Sequence, residues 1–206
     1  FIFLFTFKVY AISTAVHQLK LRDSHLIFDD KIGAREIAIT FAGKIDEVIL
    51  EKIIEILDEE NIKAHFFING DSAILHPKLV YKLLAKNHIV GSQGLSTSSV
   101  NSGTADKNAI LKEIQSGHEL VFITTGVVYP FIRLSPRQGG IATRDMIKES
   151  GAFAFYWNID YYPENPDQSM RDNLKRENYR GIVALPLAKE SNLIALKALI
   201  DEIKKE

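Results

Sequence analysis

From Glu36 onward the sequence alternates between two hydrophobic periods, and this constrains the fold more than any other feature. Ile37 to Phe41 is a short apolar run with β-branched residues, the pattern of a buried strand. Asp46 follows where a helix N-cap belongs, ahead of Ile49, Ile53, Ile56 and Leu57 on one helical face. Ala64 to Ile68 is the next strand, and Pro77 opens a helix carrying Leu79, Val80, Leu83 and Leu84. Ile89 to Gly91 is a brief strand, followed by a Ser/Thr/Gly loop and a helix near Lys107 to Leu120. Phe131 to Leu134, Phe153 to Ile159 and Ile182 to Leu185 complete the strands, with a helix near Thr143 to Ser150. The last helix starts near Ser191 and buries Leu193, Leu196, Ile200 and Ile203. Strands alternating with helices predict an α/β fold with a parallel sheet covered by helices.

Composition narrows the function. The 206 residues suffice for one domain, and 46% hydrophobic residues supply a packed core. Lys plus Arg is 25 and Asp plus Glu is 26, for a net charge of -1. No basic field is available to hold a phosphate backbone, so nucleic acid is not an expected partner. The absence of cysteine excludes disulfides, thiolate zinc sites and a Cys nucleophile.

The first fifteen residues form an apolar leader, Phe-Ile-Phe-Leu-Phe-Thr-Phe followed by Lys8 and then Ala11-Ile12-Ser13. The run is too short to span a bilayer as a helix and has the form of a secretory signal with a small-x-small cleavage site; its plainer reading is an aromatic-rich β-strand packed on the body. The expectation is an exported protein with no membrane span after processing. Residues 16–35 read as a connecting segment and residues 36–206 as one uninterrupted domain.

Five short segments, in order, carry a family resemblance. They are Ile37-Ala38-Ile39-Thr40-Phe41-Ala42-Gly43, Asn61-Ile62-Lys63-Ala64-His65-Phe66-Phe67, His88-Ile89-Val90-Gly91-Ser92-Gln93, Phe131-Ile132-Arg133-Leu134-Ser135-Pro136 and Trp157-Asn158-Ile159-Asp160. Together they resemble the polysaccharide deacetylase family, the NodB-homology domain of carbohydrate esterase family 4. There the corresponding stretches read Thr-Phe-Asp-Asp-Gly, Ala-Thr-Phe-Phe, Gly-His-Glu-Ile-Gly-Asn-His, Phe-Arg-x-Pro and Trp-x-x-Asp. Gly181-Ile182-Val183-Ala184-Leu185 fits the closing strand. The resemblance implies a distorted (β/α) barrel of six to seven parallel strands, with the site at their carboxyl ends.

It also implies a chemistry. Family members hydrolyse the N-acetyl amide of chitin-like or peptidoglycan sugars, using a divalent metal, usually zinc, on Asp-His-His. A second Asp takes the water proton and a distant His protonates the amine. In this sequence the base Asp falls on Ala42 and the metal Asp on Gly43. The two metal His fall on Gln93 and Thr97, and the leaving-group His on Leu187. Ala, Gly and Leu side chains bind no cation and move no proton, while Gln and Thr are neutral oxygen donors that replace imidazole poorly. The expectation is a degenerate site with no bound metal. Arg133, which in the family orients the base, and Asp160, which supports the catalytic His, remain. Each has a plainer reading: Arg133 as a rim residue paired with a surface carboxylate, Asp160 as the cap of a turn.

Other residues offer little to rebuild the chemistry. Asp29-Asp30 after Phe28 lies in the connecting segment and reads as a turn. None of the six His residues has metal spacing to another; His65, on a strand, reads as a hydrogen-bonded core histidine. Ser96, Thr97, Ser98 and Ser99 have no paired base and read as a solvated loop. Tyr156, Trp157, Tyr161 and Tyr162 form an aromatic cluster suited to the apolar faces of sugars. Trp157 reads as core, and Tyr161 and Tyr162 as the exposed, sugar-binding candidates. Three functions follow: a catalytically inactive glycan-binding domain of a cell or spore wall, an active N-deacetylase with a relocated site built on His65, Asp71 and Asp160, or a purely structural wall protein.

Overall fold

The computed structural model describes residues 26–27, 37–96, 107–126, 131–133, 147, 153–155 and 157–205. Among the described residues seven strands form one sheet: β1 (Leu26–Ile27), β2 (Ile37–Gly43), β3 (His65–Ile68), β4 (Ile89–Ser92), β5 (Phe131–Ile132), β6 (Phe153–Phe155) and β7 (Gly181–Pro186). Their order is β1-β6-β5-β4-β3-β2-β7, and every pairing is parallel. The described helices are α1 (Glu47–Glu59), α2 (Gly70–Leu75), α3 (Pro77–Ala85), α4 (Lys107–Thr125), α5 (Pro166–Arg176) and α6 (Ser191–Ile203). None of them is long and apolar enough to cross a membrane.

The sheet is a curled half-barrel surrounded by helices, as a distorted barrel requires. Five of its strands run three residues or more, rather than the six to seven expected; β1 and β5 are two-residue pairings. Among the described residues β1 and β7 are the two unpaired edges of the curl. β1 falls within the segment read as a connection and pairs Leu26 with Ala154 and Ile27 with Phe155.

Period-two alternation sorts the strand residues into two layers. Ile39, Phe41, Phe66, Ile68, Val90, Val183 and Leu185 face the helices and join the main core with Leu50, Ile53, Leu57, Leu83 and Leu196. The Phe41 and Phe66 rings stack there with centroids 4.9 Å apart. Ala42, Phe67, Phe131, Phe155 and Ile182 fill the concave side, with Ala38 and Trp157 against them.

The expected cap of α1 is present: the Asp46 carboxylate accepts from the Ile49 N–H at 3.0 Å. The expected helix near Thr143 to Ser150 lies outside the described residues except for Ile147, as does the leader. Two helices go beyond the sequence reading. α2 is only six residues long, and α5 carries its buried face on Ser169, Met170, Asn173 and Leu174, too polar for a hydrophobic stripe to reveal it. α5 is tied to α6 by Arg171, which donates to Glu202 at 2.8 Å.

Candidate functional site

The carboxyl ends of the strands converge, and backbone hydrogen bonds just past them fix their register. Leu187 N–H donates to Ala42 O at 2.9 Å, Gln93 N–H to Ile68 O at 3.0 Å and Arg133 N–H to Ser92 O at 3.1 Å. Between these ends lies a cavity of about 300 Å³, at the small end of ligand-pocket sizes. Its walls include Ala42, Gln93, Arg133, Trp157, Asp160 and Tyr161.

Arg133 is the dominant charge in this cavity. It is 6% exposed, and its Nη1 donates to Thr40 Oγ1 at 3.0 Å. Thr40 in turn donates to Val183 O at 2.7 Å, so the guanidinium rests on a hydroxyl clamped between β2 and β7. The guanidinium carbon lies 4.3 Å from the centroid of the Trp157 ring, a cation–π contact. Arg133 Nε is buried without a hydrogen-bond partner, and among the described residues no carboxylate pairs with this side chain. Burial pulls the guanidinium down to about 9, which leaves it charged at neutral pH. The rim salt bridge expected for Arg133 is therefore replaced by a buried cation facing a cavity.

Ala42 lines the cavity two residues beyond Thr40 on the same strand. Gly43 ends β2 with φ +130°, a conformation that only glycine adopts without strain. A Cβ on Gly43 would lie 3.9 Å from Gln93 Oε1 and 3.7 Å from Leu187 N. The structure thus brings Ala42, Gly43, Gln93 and Leu187 to one place. Thr97 lies outside the described residues. Leu187 turns its side chain into the helix-facing core and is fully buried. Gln93 Oε1 is buried without a partner.

This donor set does not fit a divalent cation. Ala42 and Gly43 bring no donor, Leu187 brings an alkyl group, and Gln93 brings one neutral amide oxygen. Among the described residues no three of His, Asp and Glu gather around a common point.

Asp160 stands exposed at the cavity wall. Its backbone carbonyl accepts from Asn173 Nδ2 at 2.7 Å, which fixes the turn after β6. Tyr161 and Tyr162 part company. Tyr162 is 62% exposed and is not among the residues lining the cavity. Tyr161 lines the cavity but is only 8% exposed, and its hydroxyl bonds Ser191 Oγ at 3.0 Å and Asn192 Oδ1. Asn192 also donates to Pro186 O, so Tyr161 braces the end of β7. Tyr161 continues the face of Ile159 at period two, a signal the sequence carried. Trp157, read as core, is only partly buried and is the aromatic wall of the cavity.

The relocated-site residues do not assemble. His65 begins β3 opposite Thr40, below the strand ends, with its ring 5.7 Å from that of Phe155. Its Nδ1 is buried without the hydrogen bond expected of a core histidine, and burial lowers it to about 4. The Asp71 carboxylate accepts from Ser72 N–H at the start of α2.

A parallel half-barrel with a cavity at its strand ends is the class of protein that fold and site define. Residues 29–149 match the polysaccharide deacetylase family, and the chain belongs to it. It is 26% identical over 183 residues to an uncharacterized 30.6 kDa protein of Geobacillus stearothermophilus, a match covering 84% of this chain and 67% of that one. It is 25% identical over 135 residues to the peptidoglycan-N-acetylglucosamine deacetylase of Bacillus cereus, covering 65% of this chain and 48% of that protein. The chain thus spans about half of that curated relative's length. Its fold is shared with a Bacillus anthracis CE4 family pseudoenzyme, at a TM-score of 0.72 and 17% identity over 84% of this chain and 62% of that one.

Proposed function

We propose that this chain is a polysaccharide deacetylase-like protein that no longer hydrolyses amides and binds a glycan in the cavity at its strand ends. The carrying observation is the juxtaposition of Ala42, Gly43, Gln93 and Leu187 around strand ends that are otherwise held in register. Amide hydrolysis needs a group to take a proton from water, a group to give one to the leaving amine, and positive charge at the developing oxyanion. The alanine, glycine and leucine side chains supply none of these. No metal is proposed as a resident cofactor, because the residues at its expected positions are the wrong donors.

What remains is suited to binding. Trp157 offers an apolar ring, Gln93 an unsatisfied amide oxygen, Asp160 an exposed carboxylate and Arg133 a fixed cation. That pattern of one aromatic wall and a few polar groups matches the mixed apolar and hydroxylated surface of a sugar. The peptidoglycan deacetylase among the relatives supports a wall glycan as the ligand class. The apolar leader supports export, and a cell-wall or spore-wall role follows from both.

The test is glycan binding by the purified chain, using peptidoglycan fragments and chitin oligomers. Saturable binding that is lost in Trp157→Ala and kept in Tyr162→Ala supports this reading. Absence of binding to any wall glycan rejects it in favour of a purely structural protein.

A further inference from the structure

An alanine at position 42 has a consequence beyond the proposed loss of catalysis. It leaves Arg133 as a buried cation whose described surroundings contain no counter-ion. Its Nη1 is held by a hydroxyl, one face lies over Trp157, and its Nε has no partner. The cavity that meets this guanidinium is also lined by Ala42, Gln93, Ala184 and Pro186, none of them charged. Asp160 lines the same cavity, but it is exposed and forms no ion pair with Arg133. A buried, unpaired guanidinium is costly, and the group that relieves it best is a planar carboxylate accepting from the guanidinium fork.

We propose that the Ala42–Arg133 cavity is a carboxylate-binding site, in which the ligand's carboxylate occupies space opened by the alanine side chain. The site takes a small monocarboxylate or a carboxylate carried on a sugar. If the glycan reading holds, this extension of it makes the preferred ligand an acidic sugar rather than a neutral one. Thr40 and Trp157 hold the guanidinium in place before the ligand arrives, so little ordering is left to do on binding.

Trp157 is the only tryptophan in the chain and lies against the binding cation, so its fluorescence reports occupancy. The full chain is titrated with sodium acetate and with sodium lactate, against sodium chloride at matched ionic strength. N-acetylmuramic acid and N-acetylglucosamine, which differ by the carboxylate-bearing ether, form the second pair of probes. The site predicts a saturable change with acetate or lactate and none with chloride. If the source is a glycan, N-acetylmuramic acid binds at least tenfold tighter than both acetate and N-acetylglucosamine.

Ala42→Asp places a carboxylate of the protein in the cavity and is expected to weaken acetate binding at least tenfold. Because that variant gives Arg133 a partner, it is expected to fold at least as stably as the parent, so a loss of acetate binding there is not a loss of fold. A fluorescence signal indifferent to every carboxylate overturns the proposal, as does undiminished acetate affinity in a folded Ala42→Asp. Neutral-glycan binding with no preference for the acid sinks the carboxylate site and leaves the glycan reading standing. Acetate binding with no glycan binding does the reverse.

Discussion

The Arg133 guanidinium carbon sits 4.3 Å from the centroid of the Trp157 ring, at the wall of a cavity whose opposite strand presents Ala42. This pairing joins the two sides of the account: an inherited cation, and the space where a carboxylate is expected from the family. Substituting an apolar side chain of similar length tests whether that cation still has a protein partner. Removing one member of a buried ion pair typically costs about 3–5 kcal/mol because the other charge is left uncompensated, whereas removing a lone buried charge strands no partner and relieves its desolvation cost. Arg133→Met is therefore expected to change stability by no more than about 1 kcal/mol in the unfavourable direction, measured by urea unfolding. A loss above about 3 kcal/mol would mean that a carboxylate partner exists.

Gly43 and Ala42 respond differently to restoration of the family's acids. Gly43 lies at φ +130°, where a side chain is strained whatever the space around it. Gly43→Asp is expected to cost about 1–3 kcal/mol. Ala42→Asp is expected to be neutral or stabilising, because its carboxylate faces the Arg133 cavity. Thermal unfolding of the two single variants checks the order, and equal losses would contradict the backbone argument.

The two adjacent tyrosines separate structure from surface. Tyr161→Phe removes the hydroxyl that bonds Ser191 and Asn192 beside the end of β7. Leaving a buried polar group unsatisfied costs about 1–3 kcal/mol. Tyr162→Phe, on an exposed side chain, is expected to fall within about 0.5 kcal/mol of the parent. Chemical denaturation of both variants measures the contrast; similar losses would put Tyr161 outside the brace.

Acid stability follows from two histidines. His88 Nδ1 accepts from Ala64 N–H at 3.2 Å, and burial lowers it to about 4; His65, against Phe155, is likewise held near 4. Protonating His88 Nδ1 would set donor against donor. Both groups have folded values below the ordinary 6.5, so the unfolded chain binds more protons between these limits. Their stabilising contribution is complete above pH 6.5 and is lost as pH falls toward 4, worth about 3 kcal/mol for His88. Glu202, lowered to about 2 by Arg171 and flanking lysines, adds its loss only below about 4.5. Unfolding midpoints measured from pH 7 to 4 should decline steadily, and His88→Asn should flatten the decline. A parent profile flat across that window would contradict the assignment.

Much of the fold was legible because the buried strands are short apolar runs. Ile37 to Phe41, Ala64 to Ile68 and Ile182 to Leu185 each lie within one or two residues of an observed strand. α5 was not legible, since Asn173 and Ser169 are buried through hydrogen bonds to Asp160 O and Asn165 O rather than through hydrophobicity. Ala42, Gly43, Gln93 and Leu187 lie at the strand ends on which motif order puts them, but the Leu187 side chain turns into the core behind the cavity. The partners of Trp157 and Tyr161 could not be read in the same way: the Tyr161 hydroxyl is held from α6, and the Trp157 ring packs on Arg133 from beyond another strand. Asn192 and Ser191 reach Tyr161 from thirty or more positions away in the chain and draw it inward. The dependence of Arg133 on Thr40 was likewise hidden, being a contact across 93 positions of sequence.

The central claim is that the inherited site has lost its hydrolytic chemistry, and acetate release measures it most directly. The purified chain is incubated with acetylated peptidoglycan fragments and chitin oligomers, with and without added zinc, while bound metal is determined in parallel. The account predicts no acetate above the enzyme-free blank and no stoichiometric zinc. Multiple turnovers of acetate release by the unmodified chain, dependent on a tightly held zinc ion, would contradict it.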